Sequence, residues 1–175
     1  MVRPMTTLSR PELDQVWQWL DAVPDPEIPV ISLVDLGIIR KLYYEGETLV
    51  VLVTPTYSGC PATSIINADI EAALRAHGIE NLRLERQLSP PWSTDWISEQ
   101  GRQKLRDYGI APPVTEESPG TGTRIWLRTE NNLTVACPRC GSNHTTRVSQ
   151  FGSTPCKANY RCQDCLEPFD YFKCI

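Results

Sequence analysis

Histidine is almost absent from this 175-residue chain, which carries only His77 and His144, and neither has a glutamate three residues before it. A di-iron carboxylate bundle is built on Glu-x-x-His pairs projecting from long helices, so that class is excluded. No glycine-rich dinucleotide fingerprint is present either, and the chain cannot supply redox chemistry alone. No apolar run approaches the roughly 20 residues that a membrane span requires. The first nine residues contain no apolar stretch of the kind a secretory leader needs, which points to the cytoplasm. Basic residues are not in excess, with 17 Lys and Arg against 21 Asp and Glu and a net charge of -4. A nucleic-acid coat usually carries the opposite balance. From 137 to 175 there is a mild local excess, Arg139, Arg147, Lys157, Arg161 and Lys173 against Asp164, Glu167 and Asp170, which the thiolates of a bound metal would cancel.

Cysteine, by contrast, is plentiful, with seven residues, six of them in the last 39 positions. Cys137-Pro138-Arg139-Cys140 is followed, after twenty-one residues, by Cys162-Gln163-Asp164-Cys165. A C-x-x-C pair puts two thiolates on one tight turn, and two such turns facing each other supply the tetrahedral set that divalent zinc takes. Gly141 follows the second ligand, where a left-handed residue lets the chain turn. The spacing predicts a zinc ribbon with Cys137, Cys140, Cys162 and Cys165 as ligands, zinc ahead of iron. Two disulfides would suit a secreted chain instead, and the N-terminus speaks against export. Cys156 and Cys174 fall outside the two-turn pattern. They read either as buried small apolar residues or as extra thiols for a transient metal, lining a second site near the ribbon.

Along the rest of the chain the pattern is that of a small α+β unit. Ser9-Arg10-Pro11-Glu12 has the form of a capping box, and Leu13, Val16, Trp17 and Leu20 follow at helical spacing up to Pro24. Asp25-Pro26-Glu27-Ile28-Pro29 is an extended loop holding two carboxylates, able to bind a metal or simply solvated. Residues 38–53 predict a β-hairpin with the second strand more buried. That strand runs into Thr54-Pro55-Thr56-Tyr57-Ser58-Gly59-Cys60-Pro61, after which Ile66, Ile70, Ala73 and Leu74 mark a helix ending at His77 and Gly78. Cys60 is therefore expected at or next to a helix N-cap, where the helix dipole favours a thiolate; an inert buried cysteine is the alternative. His77 reads as a residue of the helix C-terminus rather than a base. Leu82, Leu84 and Leu88 predict a third strand. Trp92 to Tyr108 reads as a further helical stretch, with Ile97, Leu105 and Tyr108 sharing a face and the tryptophans capping the core or forming a partner patch. The Pro- and Gly-rich residues 111–123 read as a linker, and Arg124-Ile125-Trp126-Leu127 as the first ribbon strand. The expected architecture is an α-β-β-α-β sandwich over residues 1–90, a helical extension and linker over 91–123, and a zinc-ribbon domain over 124–175.

Asp25-Pro26-Glu27-Ile28-Pro29-Val30, Val34-Asp35-Leu36-Gly37-Ile38-Ile39 and Thr56-Tyr57-Ser58-Gly59-Cys60-Pro61 together resemble the small α/β family linked to iron-sulfur cluster assembly, over about residues 9 to 90. With residues 92–113 and the run from Cys156 to Cys174, the chain is similar to one branch of that family, the D subunits of bacterial phenylacetyl-CoA epoxidase systems. The resemblance implies a non-catalytic cytoplasmic accessory protein of aerobic phenylacetate degradation. Such a protein helps to mature a di-iron or iron-sulfur centre in the epoxidase, with the oxygenase or reductase subunits as partners. It implies a functional pocket formed by Cys60, Asp25 and Glu27 with Thr54 and Thr56 nearby; a thiolate at a helix start beside two fixed carboxylates is in turn expected to hold iron or a cluster transiently. Four other readings stay open: a scaffold of the same complex without metal transfer, a zinc-ribbon nucleic-acid binder, a thiol enzyme for which no base can be placed beside Cys60, and a homo-oligomer.

Overall fold

The computed structural model describes residues 10–114 and 134–173. Helix α1 spans Leu13–Asp21 and buries Val16 and Leu20 on the face set by the i, i+4 spacing. It begins without the expected capping box. Glu12 is the N-cap and makes no side-chain cap bond, and Pro11 lies before the helix instead of inside its first turn. Ser9 lies outside the described residues. The chain ahead of α1 is tied to the sheet instead: Arg10 stacks 3.5 Å from the centroid of the Tyr44 ring, and the Tyr44 hydroxyl donates to Pro11 O at 3.0 Å.

Strands β1 (Ile39–Glu45) and β2 (Thr48–Val53) form the antiparallel hairpin, turning at Gly46. Helix α2 (Thr63–Ala76) then crosses over to β3 (Leu82–Arg86), which pairs parallel to β2 and completes a three-stranded sheet in the order β1-β2-β3. Leu49, Val51 and Val53 of β2 pack with Val16 and Leu20 of α1 and Ile66, Ile70 and Leu74 of α2 in one core. Each such side chain, fully withdrawn from water, is worth about 1.5–3 kcal/mol. Gly78, at φ +84°, ends α2, and His77 is its C-cap, stacked on Trp19 with ring centroids 4.1 Å apart. Strand β3 stops at Arg86, so Leu88 lies beyond it and is exposed, contrary to expectation.

The extension is wrapped onto this core. A short 3-10 turn (Thr94–Trp96) precedes α3 (Glu99–Tyr108), capped by the Ser98 hydroxyl, which accepts from Gly101 N. Trp92 is buried, and its indole N–H donates to Leu36 O at 2.9 Å; the tryptophan caps the core. Ile97 and Leu105 are buried on the predicted face, but Tyr108 at the end of α3 is exposed. Asp35 receives Lys104 Nζ at 2.6 Å and the Ser98 hydroxyl, which pins α3 to the loop that follows α1.

The ribbon forms a second sheet in the order β4-β7-β6-β5, from Ile110–Ala111, Pro168–Phe172, Lys157–Cys162 and Thr145–Ser149. Its edge strand β4 comes from the end of the extension and pairs parallel to β7. The strand expected at 124–127 lies outside the described residues, as do most of the linker and Cys174. Phe172 and Cys156 of the ribbon belong to the main hydrophobic core, with Phe172 edge-on to Trp92 at 6.0 Å. A smaller core of Val135, Ala158, Tyr160, Phe169 and Tyr171 holds the ribbon together.

Candidate metal centre and thiol pocket

At the end of the ribbon sheet the two C-x-x-C turns are built alike. In the first, Gly141 N donates to Cys137 O at 2.9 Å, Cys137 N to Ser142 O at 2.9 Å, and Gly141 takes φ +74°. In the second, Cys162 N donates to Glu167 O at 3.0 Å, and Leu166, the counterpart of Gly141, takes φ +63°. The left-handed residue after each second cysteine turns the chain back so that both sulfurs face one point. Asp164 links the two turns by accepting from the Ser142 hydroxyl and lying 3.1 Å from His144 Nδ1.

The four sulfurs all lie within 4.8 Å of one another, with Cys137 and Cys165 3.8 Å apart and Cys140 and Cys162 3.6 Å apart. A tetrahedron of sulfurs at the zinc–thiolate distance of about 2.3 Å has edges of about 3.8 Å. The donor set and its spacing therefore fit a closed four-thiolate zinc ion. The electrostatics agree. The Cys165 backbone N–H, and after it that of Asp164, hold the Cys162 thiol down to about 6 against burial. The Glu167 N–H draws Cys165 downward, yet burial and the sulfurs of Cys140, Cys162 and Cys137 push it up to about 12. Four sulfurs this close share negative charge badly until a cation is among them.

The second centre lies between the α/β core and the ribbon. Asp25 and Glu27 from the loop after α1, Thr56 and Cys60 from the loop after β2, and Cys156 from the turn just ahead of β6 surround a cavity of about 10 Å³. Leu36, Ile38 and Phe172 are among the apolar residues that close it. Asp25 Oδ1 accepts from the backbone N–H groups of Glu27 and Ile28, each at 2.9 Å, so it shapes the two-proline loop and aims Glu27. Burial pushes the Asp25 carboxyl up, while those two N–H groups pull it back. Cys156 is buried, with its sulfur 3.8 Å from Glu27 Oε2 and 3.1 Å from the Thr154 hydroxyl. Burial pushes the Cys156 thiol up; the Thr154 hydroxyl opposes this and Glu27 adds to it. At Tyr57 burial, then the charges of Cys60, Cys156 and Glu27, raise the phenol. The site is thus acidic and sulfur-rich, with Asp25 and Cys156 buried and Glu27, Thr56 and Cys60 half-buried.

Comparison with known proteins decides the lineage. Residues 13–80 match a family model described as "Iron-sulfur cluster assembly protein", and residues 126–173 match one described as "PaaD zinc beta ribbon domain". The chain is 46% identical over 171 residues to a protein of Escherichia coli (strain K12) named as the putative D subunit of 1,2-phenylacetyl-CoA epoxidase, covering 98% of each. The chain belongs to the family of phenylacetyl-CoA epoxidase D subunits. Among solved structures it is similar to a domain of unknown function, DUF59, from Bacillus anthracis, at 26% identity, with a TM-score of 0.49 and coverage of 53% of this chain and 89% of that one. It is also similar to a Mycobacterium tuberculosis protein associated with [Fe-S] complex assembly and repair, at 35% identity, with a TM-score of 0.34 and coverage of 60% and 94%.

Within this member of the D-subunit family the anticipated residues divide into two groups. Asp25, Glu27, Thr56 and Cys60 meet at the cavity. Thr54 is buried just after β2, and its hydroxyl is the buried side-chain polar atom without a partner among the described residues. Cys60 stands two residues ahead of the N-cap of α2, neither at it nor next to it. The helix begins at Thr63 with Ala62 as N-cap, and Cys60 O accepts from the Thr63 N–H and hydroxyl. The helix dipole acts chiefly within the first turn, so the wall of the cavity shapes the surroundings of this thiol more than the helix end does. Cys156 is not beside the ribbon tetrad but at the Cys60 cavity. No local signal in the sequence could have paired two cysteines 96 positions apart.

Proposed function

We propose that this chain is a non-catalytic accessory protein of aerobic phenylacetate degradation that assists maturation of a metal centre in the phenylacetyl-CoA epoxidase complex. Cys60 is the working thiol and the ribbon holds a permanent structural zinc. The observation that supports this reading most is the contrast between the two sulfur sites. The ribbon tetrad is closed, with four thiolates at tetrahedral spacing, and a closed set holds zinc for structure. The Cys60 cavity offers fewer thiols beside Glu27, and Cys60 and Glu27 lie in the segment that matches the iron-sulfur assembly model. A site with fewer ligands exchanges its ion faster, as a carrier must. The described residues contain no helix long and apolar enough to cross a membrane, and the partners are the epoxidase's own oxygenase or reductase subunits.

The test is iron loading of the epoxidase in cells that express it with the wild-type chain or with Cys60→Ser. Iron content of the purified epoxidase should fall with Cys60→Ser while zinc in the accessory chain stays at about one per chain. Full iron loading with Cys60→Ser would sink the carrier role and leave a scaffold.

A further inference from the structure

The cavity at Cys60 is shared between the two parts of the molecule, and the ribbon contributes the buried Cys156. Cys156 belongs to the main hydrophobic core, yet its sulfur stands 3.8 Å from Glu27 Oε2 and 3.1 Å from the Thr154 hydroxyl, at the wall of a cavity that Cys60 also lines. Two thiols and a carboxylate are a donor set for a borderline divalent ion such as iron(II), cobalt(II) or zinc(II). The space agrees with this. About 10 Å³ is room for one water-sized occupant, a size that suits a single ion.

We propose that Cys156 joins Cys60 and Glu27 as ligands to one divalent metal ion, so that the cargo site is split between the α/β domain and the ribbon. This inference rests on the reading of the cavity as the cargo site. Binding converts both thiols to thiolates and releases their two protons to solvent. Two thiolates and one carboxylate then face a dication, which leaves one net negative charge next to the buried Lys157 that follows Cys156 in the chain. Among the described residues only the ribbon tetrad has its ligand atoms all within 4.8 Å. The cavity ligands are therefore not gathered around a point as the ribbon sulfurs are, and they must draw inward to capture an ion. The split site also gives the ribbon a second task. Because β6 starts at Lys157 and Lys173 N donates to Cys156 O at 2.9 Å, the fold of the ribbon holds one ligand of the cargo in place.

The test uses the full chain, zinc-loaded and kept free of oxygen, titrated with cobalt(II) as the probe. Zinc outcompetes cobalt at four thiolates, so cobalt reports the second site. The wild type should take one cobalt ion with thiolate-to-cobalt absorption. Cys156→Ser and Cys60→Ser should each weaken binding at least about tenfold, the loss that removal of even an outer partner brings, and each should reduce the absorption. Glu27→Gln, which keeps the shape of the loop, should weaken binding with the thiolate absorption retained. Zinc content and the thermal melt check that each variant is folded. Wild-type affinity in Cys156→Ser, with loss in Cys60→Ser, would overturn the split site while leaving Cys60 as a carrier thiol. No second ion in the wild type would overturn the split site too, and the iron content of the epoxidase with Cys60→Ser would then judge the carrier role separately.

Discussion

Gly37 offers the sharpest test of how the extension is seated. It closes the turn after Ser32, with its N–H donating to Val34 O at 2.9 Å, and takes φ +67°. A Cβ at that position would stand 2.6 Å from Trp96 O and 2.7 Å from Trp96 Cβ. Both are closer than real contacts allow, and one partner is backbone, so relief requires the 3-10 turn to move. Gly46 in the β1-β2 hairpin is a matched control, with φ +58° and nothing within 4 Å of its would-be Cβ. Alanine at either position bears the left-handed cost of about 1–2 kcal/mol. Gly37→Ala bears in addition an overpacking cost of about 1–3 kcal/mol. Denaturant unfolding of the zinc-loaded chain should therefore show Gly37→Ala less stable than Gly46→Ala by about 1–3 kcal/mol. The neighbours of Gly37, Leu36 and Ile38, line the Cys60 cavity, so if that cavity takes the ion, Gly37→Ala should also weaken cobalt binding while Gly46→Ala should not. Equal destabilisation by the two substitutions would refute the argument that Trp96 is pressed onto this turn.

Two further outcomes follow from the same structure. Chelation of zinc, or the pair Cys137→Ser and Cys162→Ser, removes a binding energy of about 10–16 kcal/mol that a structural zinc contributes to folding; the ribbon sheet should unfold while the helical circular dichroism of α1 and α2 persists. At Asp35 burial works to raise the carboxyl, but Lys104 and the Ser98 and Ser32 hydroxyls outweigh it and hold the folded-state pKa below the ordinary value. Its stabilisation is therefore complete above the unfolded pKa of about 3.9 and is lost as pH falls through the lower folded value. Asp35→Asn should cost about 1.5–3 kcal/mol at neutral pH, and the difference from wild type should shrink as the pH of the melt is lowered below about 4. A difference independent of pH would show that Lys104 does not stabilise the carboxylate.

Features set by short stretches of chain are legible in the sequence. The two C-x-x-C turns, the left-handed Gly141, the hairpin, the Gly78 stop and the order of the first five elements all follow from neighbouring residues acting on one another, and each is present in the structure. Element ends are less legible, because distant contacts decide them. The Ser9-x-x-Glu12 pattern does not mark a capping box, since Arg10 and Pro11 are held by Tyr44 of β1. Leu88 continues the alternation of β3, yet that strand pairs only as far as Arg86 with Val53. Cys60-Pro61 has the form of a helix start, and α2 begins only at Thr63.

Spacing and backbone preference are local properties, so the paired C-x-x-C turns of a ribbon and a small α+β core with a cysteine after its second strand can be read from the residues alone. The neighbour of Cys156 is a matter of long-range packing. The burial of Phe172 against Trp92, and of Trp92 on the turn that ends at Gly37, brings the ribbon down onto the core. That packing sets the sulfur of Cys156 beside Glu27. Proximity across 129 residues depends on how apolar surfaces fit together, and residue spacing carries no trace of it.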